Sequence, residues 1–339
     1  MMRPKLRRAR TLWIVLGVLG GILALLLLVC CGGVMWFFSF PSTSPEAKEP
    51  FSMVSQPSVS FEKVRALEAA LSPPMSATEF VAKPNGTAKS VGGESKLWVY
   101  EPEGSEKRPC VLIAPAGSTL LEGKSLAEGD QDEHLPYVQA GWVVIAYSLD
   151  GGSDEMLDED PSFDDNGLVG SAFTEFQEAS AGLVNARNAM EFALTHPRVD
   201  PRTIFVAGHS SAGTLAVLFA EHEPRVAGCV AYAPCLDLKA RFPGPLVRVL
   251  ESAKPGVADF LVRSSPRTHE DRLECPTLIF HAEDDGNVPI EDSRSFVKRL
   301  KKKGKPIEIR EVPTGDHYDS MIEQGIPIGI EWIKSHTKQ

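Results

Sequence analysis

The chain has 339 residues, 43% of them hydrophobic, and a net charge of −10. That is enough apolar material for one large domain or two small ones. Five basic residues (Arg3, Lys5, Arg7, Arg8 and Arg10) fall among the first ten, so the remainder is more acidic still. This excludes nucleic acid as a partner, because phosphate binding needs a basic face.

Residues 1–11 form a basic N-terminus, and Leu12 to Phe38 then runs 27 positions without a charge. About 20 apolar residues cross a hydrocarbon core. The pattern predicts one transmembrane helix over 12–38, with a cytoplasmic N-terminus and an extracytoplasmic remainder. A cleaved signal peptide would have a shorter apolar region ending in an Ala-x-Ala-like site. Val29 is too bulky for a lipoprotein signal at Cys30. Residues 39–60, rich in Ser and Pro, read as a linker, which leaves 61–339 as the folded domain.

Within that domain Phe61–Leu71 predicts a short amphipathic helix stopped by Pro73-Pro74. Lys96–Glu101 and Cys110–Ala114 read as strands separated by a polar Glu-Gly-Ser turn, which predicts an antiparallel hairpin. A helical stretch near Asp132–Ala140 precedes an apolar strand at Trp142–Tyr147. Asp150–Asp165 follows, with eight acids; it reads as a solvated insertion, against an acidic lip for cationic substrates or a calcium loop. Ala179–Leu194 predicts a helix ended by His196-Pro197. Strands follow at Thr203–Ala207, Val226–Ala233, Thr277–His281 and Ile307–Glu311, and helices at Ala212–Glu221, Asp292–Lys302 and Ile326–Lys334. Strands alternating with helices predict a mostly parallel sheet covered on both faces. In such sheets the functional residues lie at the carboxyl ends of the strands.

Residues 204–213 read Ile-Phe-Val-Ala-Gly-His-Ser-Ser-Ala-Gly, a strand running into a small-residue turn around Ser210 and then a helix. Such a turn exposes a serine Oγ above the sheet and leaves the next N–H free for an oxyanion. The usual pattern is Gly-x-Ser-x-Gly; here Gly208 fits, and Ala212 takes the second glycine position, followed by Gly213. A serine needs a base for its proton, and the base needs a carboxylate to fix its tautomer. The loops after the later strands supply both, Asp284 or Asp285 and then His317. The chain order Ser210, Asp285, His317 is that of the α/β-hydrolase fold. Ser210 capping the helix, and Ser211 as rival nucleophile, are the alternatives for the turn. His209 reads as shaping the turn and His281 as a strand-end packing residue.

Residues from about 137 to 333 resemble the catalytic domain of the prolyl oligopeptidase family, with the dienelactone-hydrolase-like branch as a near relative. The resemblance is carried by Val199-Asp200-Pro201-Arg202, Gly208–Gly213, Ser265-Pro266, Cys275–Pro289 and Gly315-Asp316-His317. In that family the acid lies four residues before the proline of this loop, which selects Asp285 over Asp284. The peptidases also carry a propeller upstream, for which the 60 or so residues between the apolar segment and the first clear strand are too few. They commonly supply a tyrosine near Pro115-Ala116-Gly117-Ser118, and this chain lacks it. The N–H groups of Ser211 and Ser118 are therefore the candidate oxyanion donors.

Cys110, Cys229, Cys235 and Cys275 lie in or beside apolar runs without metal-ligand spacing and read as buried free thiols, with a Cys235–Cys275 disulfide as the alternative. No metal or organic cofactor is implied. The expectation is a membrane-anchored serine hydrolase of α/β-hydrolase fold acting on a small ester or short peptide. A carboxylesterase is the nearest alternative. A catalytically silent binding module of the same fold is a more distant one.

Overall fold

A computed structural model describes residues 86–90, 93–102, 104–152 and 168–337. The transmembrane helix expected at 12–38, the linker expected at 39–60, the helix expected at 61–71 and most of the acidic run lie outside the described residues. Among the described residues no helix is long and apolar enough to cross a membrane.

Eight strands make one sheet: β1 (Gly86–Ser90), β2 (Gly93–Tyr100), β3 (Arg108–Ile113), β4 (Val143–Tyr147), β5 (Val199–His209), β6 (Gly228–Tyr232), β7 (Thr277–Ala282) and β8 (Ile307–Val312). Their spatial order is β1-β2-β4-β3-β5-β6-β7-β8. β1 pairs antiparallel with β2 and β2 antiparallel with β4, and the remaining pairs are parallel. The hairpin expected between 96–101 and 110–114 does not form. β2 instead pairs antiparallel with β4, which lies between it and β3. A polar turn signals only that the chain reverses, whereas the partner is chosen by which apolar strand fills the neighbouring slot.

The central strands carry near-continuous apolar runs, as strands buried on both faces do; β4 is Val-Val-Ile-Ala-Tyr and wholly buried. Side chains alternate between two cores. Cys110 and Leu112 face one layer, with α2 (Leu168–Glu178), α3 (Leu183–Thr195) and α4 (Ser210–His222), while Val111 and Ile113 face the other. That second layer includes α1 (Gln131–Gln139) and the C-terminal helix Ile326–His336. The helix expected at 179–194 begins only at Leu183, because Ser180, Ala181 and Gly182 have φ of 54°, 56° and 86°. Three left-handed residues in a row turn the chain between α2 and α3. The segment 236–272 holds four short helices: α5 (Leu238–Arg241), α6 (Gly244–Ala253), α7 (Val257–Arg263) and α8 (Pro266–His269). α9 (Ile290–Lys302) and α10 (Ile326–His336) complete the fold. The four described cysteines are free thiols, three of them buried.

Candidate active site

Parallel register brings several strand ends to one side of the sheet. Ile113 pairs with Ala207, His209 with Tyr232, Tyr232 with Phe280 and Ala282 with Val312. The segments that leave these ends carry Ser118, Ser210, Asp285 and His317.

Ser210 opens α4 directly after β5 and has φ of 53°, a left-handed backbone that serine adopts only when its surroundings impose it. Those surroundings are close contacts. A Cβ on Gly208 would lie 2.4 Å from the backbone of Ala212, and one on Gly213 would lie 2.9 Å from the Gly208 carbonyl oxygen. Gly213 therefore meets the strand, and the methyl of Ala212 is accommodated in the core. Ser211 sits in the first turn of α4, where backbone N–H groups have no partner within the helix.

His317 Nδ1 lies 2.7 Å from Asp285 Oδ2. Asp285 also accepts from the N–H groups of Asn287 (2.8 Å) and Val288 (2.9 Å) through Oδ1. His281 completes its surroundings with Nε2 at 3.2 Å. Burial pushes the Asp285 carboxyl up, but the bonds from His281, His317, Val288 and Asn287 outweigh it and hold the group well below the usual carboxylate range. An ionised carboxylate only accepts, so both imidazoles present N–H to it. That leaves His281 Nδ1 facing the Ser293 hydroxyl at 2.9 Å.

Asp284 does not touch the imidazole. It accepts from the N–H groups of Gly315 (3.2 Å) and Asp316 (2.9 Å), and Asp316 in return accepts from Gly286 N–H (3.2 Å). The two loops are thus tied to each other around the His317–Asp285 pair. His209 joins them to the serine turn: its Nε2 is 2.9 Å from the His317 carbonyl oxygen, and the two rings meet at a tilt of 43° with centroids 4.6 Å apart. Its Nδ1 faces Glu133 on α1 at 3.6 Å. The Ser210 hydroxyl itself makes no hydrogen bond to His317 among the described residues; bonds of this kind commonly tighten only when substrate is bound.

Ser118 and Ser211 also meet, with Ser118 N–H donating to Ser211 Oγ at 3.0 Å. The Ser118 hydroxyl accepts from Leu120 N–H (2.9 Å) and donates to the Glu122 carbonyl (2.7 Å), which fixes the loop. Sequence reasoning missed His281. Its one signal was a histidine at a strand end four residues before the acid. Asp150, the described member of the acidic run, is buried and bonded to Asn185 Nδ2 at 3.1 Å, so it contributes to packing rather than to a solvated loop.

Residues 174–337 match the prolyl oligopeptidase family. A thermostable monoacylglycerol lipase from Bacillus sp. (strain H-257) is 31% identical over 112 residues, covering 26% of this chain and 45% of the lipase. The chain thus spans less than half the length of that relative. Among solved structures, the acylaminoacyl peptidase of Pyrococcus horikoshii aligns with a TM-score of 0.53 at 18% identity, over 74% of this chain and 40% of the peptidase. An acetyl xylan esterase from Paenibacillus sp. R4 aligns with a TM-score of 0.55 at 16% identity, over 80% of this chain and 92% of the esterase. These structural likenesses show a shared α/β-hydrolase fold.

Proposed function

We propose, starting from residues 174–337 as a prolyl oligopeptidase family domain on an α/β-hydrolase fold, that this protein is a membrane-anchored serine hydrolase cleaving ester or peptide bonds through an acyl-enzyme on Ser210. The observation that carries the reading is the His317–Asp285 pair at 2.7 Å, on the same side of the sheet as a serine turn held at φ 53°. Ser210 Oγ attacks the carbonyl carbon as its proton passes to His317 Nε2. Asp285 holds Nδ1–H and stabilises the imidazolium that forms. The oxyanion takes the Ser211 N–H at the positive end of α4, together with the Ser118 N–H that Ser211 Oγ occupies at rest. As the tetrahedral carbon collapses, the C–O or C–N bond breaks and His317 gives its proton to the leaving group. Water then loses a proton to His317, attacks the acyl-enzyme and releases the acid, and the proton returns to Ser210.

The lipase and esterase among the relatives support esters as substrates, and the peptidase supports peptides. The 27 uncharged positions behind five basic residues support anchoring through 12–38, with the catalytic domain on the extracytoplasmic side. The test is labelling of the full chain with a fluorophosphonate probe. Wild type and Ser211→Ala are expected to label, whereas Ser210→Ala is expected not to label and to lose on the order of 10⁴-fold or more in kcat. Equal labelling of Ser210→Ala would refute the nucleophile. In fractionation of the same samples, label found in the soluble fraction would count against the anchor.

A further inference from the structure

Beside Ser118 and Ser211 the structure holds a narrow cavity of about 20 Å³. Its lining is mostly apolar and includes Leu215 and Leu218 of α4, Phe176 of α2 and Leu149 after β4. Four hydroxyls also border it, and each already has a protein partner. Ser211 Oγ accepts from Ser118 N–H, and Ser118 Oγ donates to the Glu122 carbonyl. Thr214 Oγ1 donates to the Ser210 carbonyl at 3.1 Å, and Ser264 Oγ to the Phe260 carbonyl at 2.7 Å. A cavity whose polar groups are satisfied offers little to water and favours an alkyl group.

Its place decides which part of a substrate enters. The inference rests on Ser210 as nucleophile and His317 as base. The carbonyl oxygen then points at the N–H groups of Ser211 and Ser118, residues that are also on the lining of the cavity. The leaving group must lie on the His317 side, since His317 protonates it. The remaining substituent of the carbonyl carbon, the acyl chain, is therefore the one directed toward the cavity.

Its size decides what fits. A single water needs about 10–15 Å³ on this measure, so a methyl group fills the space and an ethyl group reaches its limit. The walls are held in place. Leu120 and Ala181, both on the lining, have φ of 69° and 56°, conformations that persist only where the surroundings over-determine them. We infer that the enzyme selects two- and three-carbon acyl groups, acetyl above all, and excludes both longer chains and the pyrrolidine ring of an acyl-proline.

The full chain would first be titrated with fluorophosphonate to count competent sites. Rates would then be measured on p-nitrophenyl acetate, propionate, butyrate, hexanoate and octanoate, and on a peptidyl-proline p-nitroanilide. The expected profile has kcat/KM for acetate at least about tenfold above hexanoate, and no turnover of the prolyl substrate. Leu218→Ala, which deepens the cavity, is expected to raise hexanoate relative to acetate by tenfold or more; Phe176→Ala serves the same purpose should the first variant not fold. A labelled wild type that cleaves hexanoate or the prolyl substrate as well as acetate would overturn the pocket and leave the nucleophile standing. A wild type that neither labels nor turns over any substrate would overturn both.

Discussion

Glu221 lies near the end of α4 with both carboxylate oxygens buried and without hydrogen-bond partners. Burial, reinforced by the charge of Glu270 and only partly offset by Arg272, raises its carboxyl well above the usual carboxylate range. A folded value above the unfolded one, about 4.3, means that its contribution to stability is intact below that pH. The contribution is lost as pH rises toward the folded value. Glu221→Gln copies the protonated form and is expected to match wild type near pH 4. Above that its advantage should grow by up to about 1.4 kcal/mol per pH unit. At about 2–4 °C per kcal/mol the difference is readable as Tm between pH 4 and pH 8. A Tm difference independent of pH would show that the carboxyl is ionised in the fold. The residue was visible in the sequence only as one acid on a predicted helix, because nothing in a local pattern says that the last turn of α4 is buried. His281 was illegible for the same reason: the contact with Asp285 depends on how the loop after β7 folds back.

At the scale of elements, the strand, turn and helix around Ser210 are legible because their signal is local. A strand, a turn of small residues and a helix follow one another within 20 residues, and each obeys its own backbone rule. The departure at Ala212 also finds its explanation here, since the close approach falls on Gly208 and Gly213. Gly208→Ala is expected to force its methyl against the backbone of Ala212, costing about 1–3 kcal/mol or more and reducing fluorophosphonate labelling. Ala212→Gly, which would restore the usual pattern, is expected to destabilise by about 1 kcal/mol through the flexibility of glycine in a helix, with labelling unchanged. Thermal melts of the two variants, each paired with labelling, decide; a more stable Ala212→Gly would mean that the methyl is strained. Where pairing was non-local the reading failed. The strands at 93–100 and 108–113 were found, but their partners were not, because β4 enters the sheet between them after a further 30 residues. The four helices of 236–272 are short and broken by Pro243, Gly244, Gly256 and Pro266, so no period long enough to see runs through them.

For the whole molecule, Ser210, Asp285 and His317 are each legible in the sequence as residues just past predicted strands. Their assembly was an inference from order along the chain. The structure adds what sequence could not, the mutual bonding of two loops through Asp284, Asp316 and Gly286. It also adds an asymmetry in how the site is carried. The serine turn rises from β5, flanked by β3 and β6, whereas the loop bearing His317 follows β8, which among the described residues pairs with β7 alone at the rim of the sheet. Rim strands open before central ones do. Activity should therefore vanish at a lower urea concentration than the far-UV circular dichroism signal, and return promptly on dilution; coincident transitions would show that β8 and the centre melt as one. If the proposed site is the working one, a functional lifetime shorter than the structural one follows, set by how often the outer strand β8 lets go.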